Sequence, residues 1–270
     1  MRRSRLDSWA QTFLAVALLV TVAAGWWSAR RTAAQSPAAA PPSAPAARNV
    51  SEAQRELERY EQRYGPNHYS QGVEEWLIRD YLQDRRAGFF VDVGANHYKN
   101  ASKTYYLESS LRWSGLAVEP QQELGADYVK FRPRTKFLPF FVSDVSHETA
   151  KFYILSHGSQ IASSDPDFVK AWGKPGEVRA VPTITLNDLL DTEKVTRIDF
   201  LSMDIELHEP QALKGFDIDR FKPGFVCIEA LLPVRQQILD YFARHGYVLV
   251  GKYLWLDEED LYFADLNGSH

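Results

Sequence analysis

The chain has 270 residues, with 31 Lys and Arg against 35 Asp and Glu, a formal charge of −4. Its 45% hydrophobic and 13% aromatic content excludes a disordered, collagen-like or coiled-coil chain. Residues 1–50 carry six Arg and one Asp, so the rest carries 25 basic and 34 acidic residues, a poor match to nucleic-acid phosphates, and the single Cys227 excludes a disulfide framework or a Cys-rich zinc site.

Trp9 to Ala29 is a 21-residue run without a formal charge, between Arg2, Arg3, Arg5 and Arg30, Arg31. At about 1.5 Å per residue it spans about 30 Å of hydrocarbon, with Trp9 at one end and Trp26, Trp27 at the other, where indole rings favour the headgroup level. A signal-peptide core is shorter, about 7–15 residues, so the run reads as a retained single transmembrane helix. More Arg precede the run than follow it. This predicts a cytoplasmic N-terminus and places the domain across the membrane, in the Golgi or another secretory lumen. The sequons at Asn49, Asn100 and Asn267 agree with that side; folding is expected to shield Asn100 and leave the other two accessible. The organisation expected is a tail and anchor over 1–32 and an Ala/Pro-rich linker over 33–50. A charged stem helix over 51–65 and a folded domain over 66–270 follow.

From residue 84 a helix hands over to the first of several short apolar runs: 89–93, 115–119, 136–143, 198–205 and 225–230. These read as buried parallel strands, with helices predicted over 102–112, 121–130, 209–215 and 234–245. Strands at 247–254 and 260–264 form a terminal hairpin around the acidic turn 257–260. Segments 151–156 and 178–186 form an inserted β excursion around a loop at 157–177. Strand–helix alternation predicts an α/β fold with an open, doubly wound, mostly parallel sheet carrying one antiparallel strand.

Ligands of such sheets bind beyond the carboxyl ends of the strands. Asp92, Gly94 and Asn96 follow the first strand, Glu119 ends the second and Asp144 the third. A strand-end carboxylate at Glu119 accepts ribose hydroxyls, and one at Asp144 accepts an adenine amino group. Ala95, Asn96, His97 and Tyr98 follow Gly94, so the glycine-rich pyrophosphate turn is missing, which disfavours a nicotinamide dehydrogenase. S-adenosylmethionine has no phosphate, so the missing turn does not count against it.

The segment FFVDVGANHYKNASKTYYLESSLRWSGLAVEP resembles the opening of the FkbM-type methyltransferases, with their D-x-G-A-N turn and E-P second strand. DFLSMDIELHEPQALKGFD resembles that family's D-x-E-G-x-E strand end, and PTITLNDLLD the segment before it. The resemblance covers about residues 88–264. It implies a Rossmann-like class I methyltransferase fold, S-adenosylmethionine contacts at Asp92, Gly94, Asn96, Glu119 and Asp144, and a functional strand end at Asp204 and Glu206. Two positions depart from the pattern: Tyr98 and Leu207 stand where the family has glycine.

Asp204, Glu206, His208 and Glu209 form the densest polar cluster. His208 suits a general base for a hydroxyl, the oxygens suit a divalent metal, and Glu206 and Glu209 suit helix capping. Asp204, Glu206 and His208 are assigned as catalytic, and no residue as a metal ligand. The reading that results is a membrane-anchored S-adenosylmethionine-dependent O-methyltransferase acting on a sugar or glycan hydroxyl. Its alternative is a catalytically inactive, methyltransferase-like trafficking or cargo-binding protein, to which the departures at Tyr98 and Leu207 would correspond.

Overall fold

A computed structural model describes residues 46–155, 162–173 and 175–265, all in one compact unit beginning at Ala46. The apolar run 9–29, residues 157–161 and 174 of the excursion loop, and Asn267 lie outside the described residues. Among the described residues no helix is long and apolar enough to cross a membrane.

Helix α1 spans Ala46–Tyr64 and α2 Glu74–Leu82. α1 starts just after Pro45, the last proline of the linker, so residues 46–50 are helix rather than tether, and Asn49 lies in it. It is more than a solvated stem: Tyr60 is buried with Trp76, Leu77 and Trp113, and its hydroxyl donates to Asp80. Asp80 of α2 also accepts from Lys252 (2.6 Å) and the Tyr253 hydroxyl (2.8 Å), joining the helix pair to the far end of the chain.

The main sheet contains β1 (Phe89–Val93), β2 (Ser114–Val118), β3 (Thr135–Leu138), β8 (Phe200–Met203), β9 (Phe225–Glu229), β10 (Tyr247–Leu249) and β11 (Asp260–Asp265), in the order β10-β11-β9-β8-β1-β2-β3. β3, β2, β1, β8 and β9 are parallel; β11 runs antiparallel between β9 and β10, as the terminal hairpin predicts. The chain steps outward from β1 to β3 and returns on the other side at β8, so the strand order reverses between β1 and β8. Such a switch point leaves a crevice beyond the carboxyl ends of those strands.

The strands alternate with period two and are covered on both faces. Val91, Val93, Leu201, Met203, Val226 and Ile228 share one apolar cluster. Phe90, Phe200, Phe225 and Cys227 share the other. The helices on the sheet are α3 (Tyr105–Ser109), α4 (Gly125–Phe131), α6 (Leu186–Thr192), α7 (Glu209–Lys214), α8 (Ile218–Phe221) and α9 (Leu232–Arg244).

The strand expected over 136–143 is two strands. Leu138 ends β3, and Phe141–Val142 is β4 of a second sheet. With β5 (Thr149–Leu155), β6 (Ala162–Ser163) and β7 (Pro175–Ile184) it forms the order β4-β7-β5-β6, with α5 (Pro166–Trp172) between β6 and β7. Proline at 139 has no N–H for the ladder, so the parallel pairing with β2 stops before it. Asp144 therefore does not end a main-sheet strand; it lies in the exposed turn between β4 and β5.

Candidate active site

Period two decides which strand-end side chains meet. In β1, Val91 and Val93 face one apolar cluster, so Asp92 faces the opposite side with Phe90. It is buried, accepts from the Thr104 hydroxyl (2.7 Å), and burial raises its pKa against that bond. Asp92 is thus held by the protein's own hydroxyl.

Gly94 follows with φ +82°, and a Cβ there would lie 1.8 Å from the Asp204 carbonyl oxygen. Both the left-handed backbone and the close approach of the β8 end require glycine. Asp204 N–H in turn donates to Val93 O (2.9 Å), which ties the two loops of the crevice together. Asn96, at φ +44°, donates its N–H to Glu119 (3.2 Å), which also accepts the Gln121 N–H (3.0 Å). Glu119 is buried, and burial raises its pKa. Asp92, Gly94, Asn96 and Glu119 therefore assemble around one turn. Asp144 does not join them; it stands beside Ser143 in the second sheet's loop and lines a cleft with His208.

Sequence reasoning misses the residue that braces this turn. Arg132 is fully buried, and its guanidinium pairs with Glu108 and donates to the Tyr98 carbonyl (2.9 Å) and the Thr104 hydroxyl (3.2 Å). Thr104 holds Asp92, so one arginine links two parts of the turn. Its position after an amphipathic helix carries no motif that would have identified it. Tyr98 stacks between His97 (4.5 Å) and Phe131 (4.7 Å), so the ring in the family's glycine position packs against α4.

Beyond β8 the chain turns through Glu206 (φ 58°) and Leu207 (φ 73°). A left-handed backbone at 207 accounts for glycine as the family residue there, and a leucine costs about 1–2 kcal/mol. Leu207 packs against the first apolar cluster, which offsets part of that strain. The turn places Glu206 beside Asp204 and Glu229, with an oxygen of each within 4.8 Å of the others. Burial, then Asp204 and Glu209, push the Glu206 pKa up to about 9. Burial raises Glu209 to about 7 against a hydrogen bond from the Ile205 N–H (2.9 Å). Glu229 is raised well above the carboxylate range by burial and the same neighbours.

The cation facing these acids is Lys103, a residue the sequence does not mark. It contacts Asp260 (2.8 Å) and Asp204 (3.2 Å). Burial opposes its charge, but Asp260 and Asp204 outweigh burial and keep it protonated.

His208 stands apart from the acids. Its Nε2 lies 3.1 Å from Ser143 Oγ and its Nδ1 3.2 Å from Ser164 Oγ, and burial lowers its pKa. Both ring nitrogens of the neutral imidazole are occupied by serine hydroxyls. It lines a cleft of about 380 Å³ with Ser143, Asp144, Tyr153 and Ser164. Trp76 and Trp113 are core residues, and Trp255 is exposed.

The doubly wound sheet, with a crevice at its switch point that lacks a pyrophosphate turn, is a Rossmann-like α/β fold. The sequence matches the FkbM methyltransferase domain over residues 92–249, more than half of the chain, and the chain belongs to that family. No curated protein sequence matches it. Among solved structures it is similar to the precorrin-6y C5,15-methyltransferase of Geobacter metallireducens at 11% identity and TM-score 0.40, over 70% of this chain and 84% of that one. A TehB-like S-adenosylmethionine-dependent methyltransferase of Corynebacterium glutamicum gives 13% identity and TM-score 0.39, over 80% and 99%. The 1,6-didemethyltoxoflavin-N1-methyltransferase of Burkholderia thailandensis, solved with S-adenosylhomocysteine, gives 11% and 0.38, over 87% and 98%.

The chain is an S-adenosylmethionine-dependent methyltransferase, as the resemblance implied. The residues fit that cofactor. Glu119 offers a carboxylate at the second strand end, Gly94 lets the turn close, and the oxygens of Asp204, Glu206 and Glu229 gathered beyond β8 offer acceptors to a ligand without phosphates.

Proposed function

We propose that the chain methylates a hydroxyl of a sugar or glycan while tethered to a membrane. The observation that carries this reading is the polar cleft beside the β8 end. Hydroxyls of Ser143, Tyr153 and Ser164, the Asp144 carboxylate and the His208 ring line it. A polyhydroxylated acceptor needs such interleaved donors and acceptors.

Bound S-adenosylmethionine supplies a methyl group on a positively charged sulfur, which leaves the protein alignment and proton removal as its tasks. Glu119 would accept the ribose hydroxyls while the Asn96 and Gln121 amides hold its carboxylate, and Asp92 supports the turn through Thr104. Asp204 and Glu206 present carboxylates at the strand end where the acceptor hydroxyl loses its proton. His208 aligns Ser143 and Ser164 against the acceptor. Asp144 serves the acceptor cleft rather than adenine.

The uncharged run 9–29 supports membrane attachment, and its Arg asymmetry supports a domain in a secretory lumen such as the Golgi. Asn100, expected to be shielded, is exposed and available to a glycosyltransferase on that side. Labelled cofactor, the full chain in detergent and a glycan panel test the reaction. Label should enter an ether-linked methyl group, and Asp204→Asn should lower turnover about 10²–10⁴-fold while S-adenosylhomocysteine affinity holds. Label on nitrogen acceptors alone rejects the hydroxyl reading. Digestion of the domain by protease outside intact microsomes rejects the luminal one.

A further inference from the structure

We propose that the carboxylates of Asp204, Glu206 and Glu229 form a binding site for a hard divalent cation: Mg²⁺, Mn²⁺ or Ca²⁺. Met203 pairs with Ile228 in the parallel register of β8 and β9, so Asp204 and Glu229 are the next residues at adjacent strand ends. Period two points both to the face opposite Met203 and Ile228. The left-handed turn at residues 206 and 207 brings Glu206 back to them, and an oxygen of each carboxylate lies within 4.8 Å of the others.

Two buried atoms outside any hydrogen bond point to a missing positive partner. Glu229 is 8% exposed, and its Oε2 has no donor. Glu209, fully buried at the start of α7 and close enough to act on Glu206, also leaves Oε2 without a donor. A buried carboxylate oxygen without a partner is unfavourable, so such atoms normally face a donor or a cation. Lys103 does not meet the need: its contacts are Asp260 and Asp204. Among the described residues no other Lys, Arg or His forms an ion pair with Asp204, Glu206, Glu209 or Glu229.

The donors are all carboxylate oxygens, which select hard cations over zinc or copper. Oxygens on opposite sides of Ca²⁺ lie about 4.6–5.2 Å apart, twice the Ca–O distance, and about 4.2 Å apart around Mg²⁺. Three oxygens within 4.8 Å of one another need only small side-chain movements to close on Ca²⁺, and closer approach to bind the smaller Mg²⁺. A cation here sits at the strand end facing the acceptor of the proposed reaction, where it would favour loss of the hydroxyl proton. That role rests on the hydroxyl reading; metal binding does not.

The test uses the full chain, stripped with chelator, and reads bound Mn²⁺ by electron paramagnetic resonance and calorimetry. The expected result is about one saturable equivalent, displaced by Mg²⁺ or Ca²⁺, with a raised melting temperature. Loss of an outer-shell partner typically weakens metal binding 10–100-fold, so loss of a ligand in Glu229→Gln should cost at least about 100-fold. Glu206→Gln, at a half-buried position, should act in the same direction and serves if the first variant fails to fold. Asp240→Asn, on the exposed face of α9, should leave binding unchanged. Absence of saturable Mn²⁺ at millimolar concentration overturns the proposal, as does unchanged affinity in both glutamine variants. Stoichiometric displacement of Mn²⁺ by S-adenosylhomocysteine also overturns it, because the acids would then hold the cofactor's ammonium group.

Discussion

Replacing Arg132 by methionine keeps most of the side-chain volume and removes the guanidinium. The arginine is 1% exposed and its partner Glu108 is 6% exposed, so the change leaves a carboxylate inside the protein without its cation. Removing one partner of a buried pair typically costs 3–5 kcal/mol, against about 5–15 kcal/mol for a whole domain. Glu108 keeps the Arg134 N–H (2.7 Å) and the Thr135 hydroxyl, which places the cost toward the lower end, about 3 kcal/mol. With a urea slope of about 2 kcal/mol per M, the unfolding midpoint should fall by about 1.5 M. Tryptophan fluorescence reads it directly, because Trp113 lies in the core just after α3, the helix that carries Glu108. Glu108→Gln in the same chain should recover part of the loss, since the double variant buries no unpaired charge. The Tyr98 carbonyl and Thr104 also lose a donor, so S-adenosylhomocysteine affinity should fall in the folded variant. A loss below about 1 kcal/mol, or strictly additive single and double variants, would refute the pair as the brace of the turn.

Gly94→Ala should destabilise by about 2–5 kcal/mol, because its Cβ meets a backbone carbonyl at 1.8 Å and φ is positive; a normal urea midpoint would show that the two loops separate easily. Glu119→Ala should weaken S-adenosylhomocysteine binding by about 1.5–3 kcal/mol, read by calorimetry, and an unchanged dissociation constant removes Glu119 from the ribose site. In Asp80, burial raises the carboxyl pKa, but hydrogen bonds from Lys252, Tyr253 and Tyr60 prevail and hold it below its ordinary value. Its stabilisation is therefore complete above the unfolded carboxyl pKa of about 4 and is lost as pH falls through the lower folded value. Asp80→Asn should lose about 1.5–3 kcal/mol at pH 7 in thermal or urea unfolding, and the gap to the parent should close below about pH 4. A gap that persists there means the asparagine fails for steric reasons.

The sequence by itself determined the strand cores, the doubly wound alternation and the terminal antiparallel strand. Their signals are local: apolar runs such as 89–93 and 225–230 need only their own residues to declare burial. It also marked Asp92, Gly94, Asn96 and Glu119 as residues that lie together, because successive strand ends in a parallel sheet share one edge. Tertiary structure alone decided what lies across that edge. Asp144 left the main sheet because Pro139 ends β3, and whether an apolar run continues after such a break depends on its strand partners. Lys103, Arg132 and Glu229 are separated in sequence from the groups they serve by 157, 24 and 25 residues, if each is counted to Asp260, Glu108 and Asp204. Their charges look ordinary in a list of residues. They become distinctive only when folding removes water from around them, since burial makes an unpaired carboxylate costly and a paired arginine decisive.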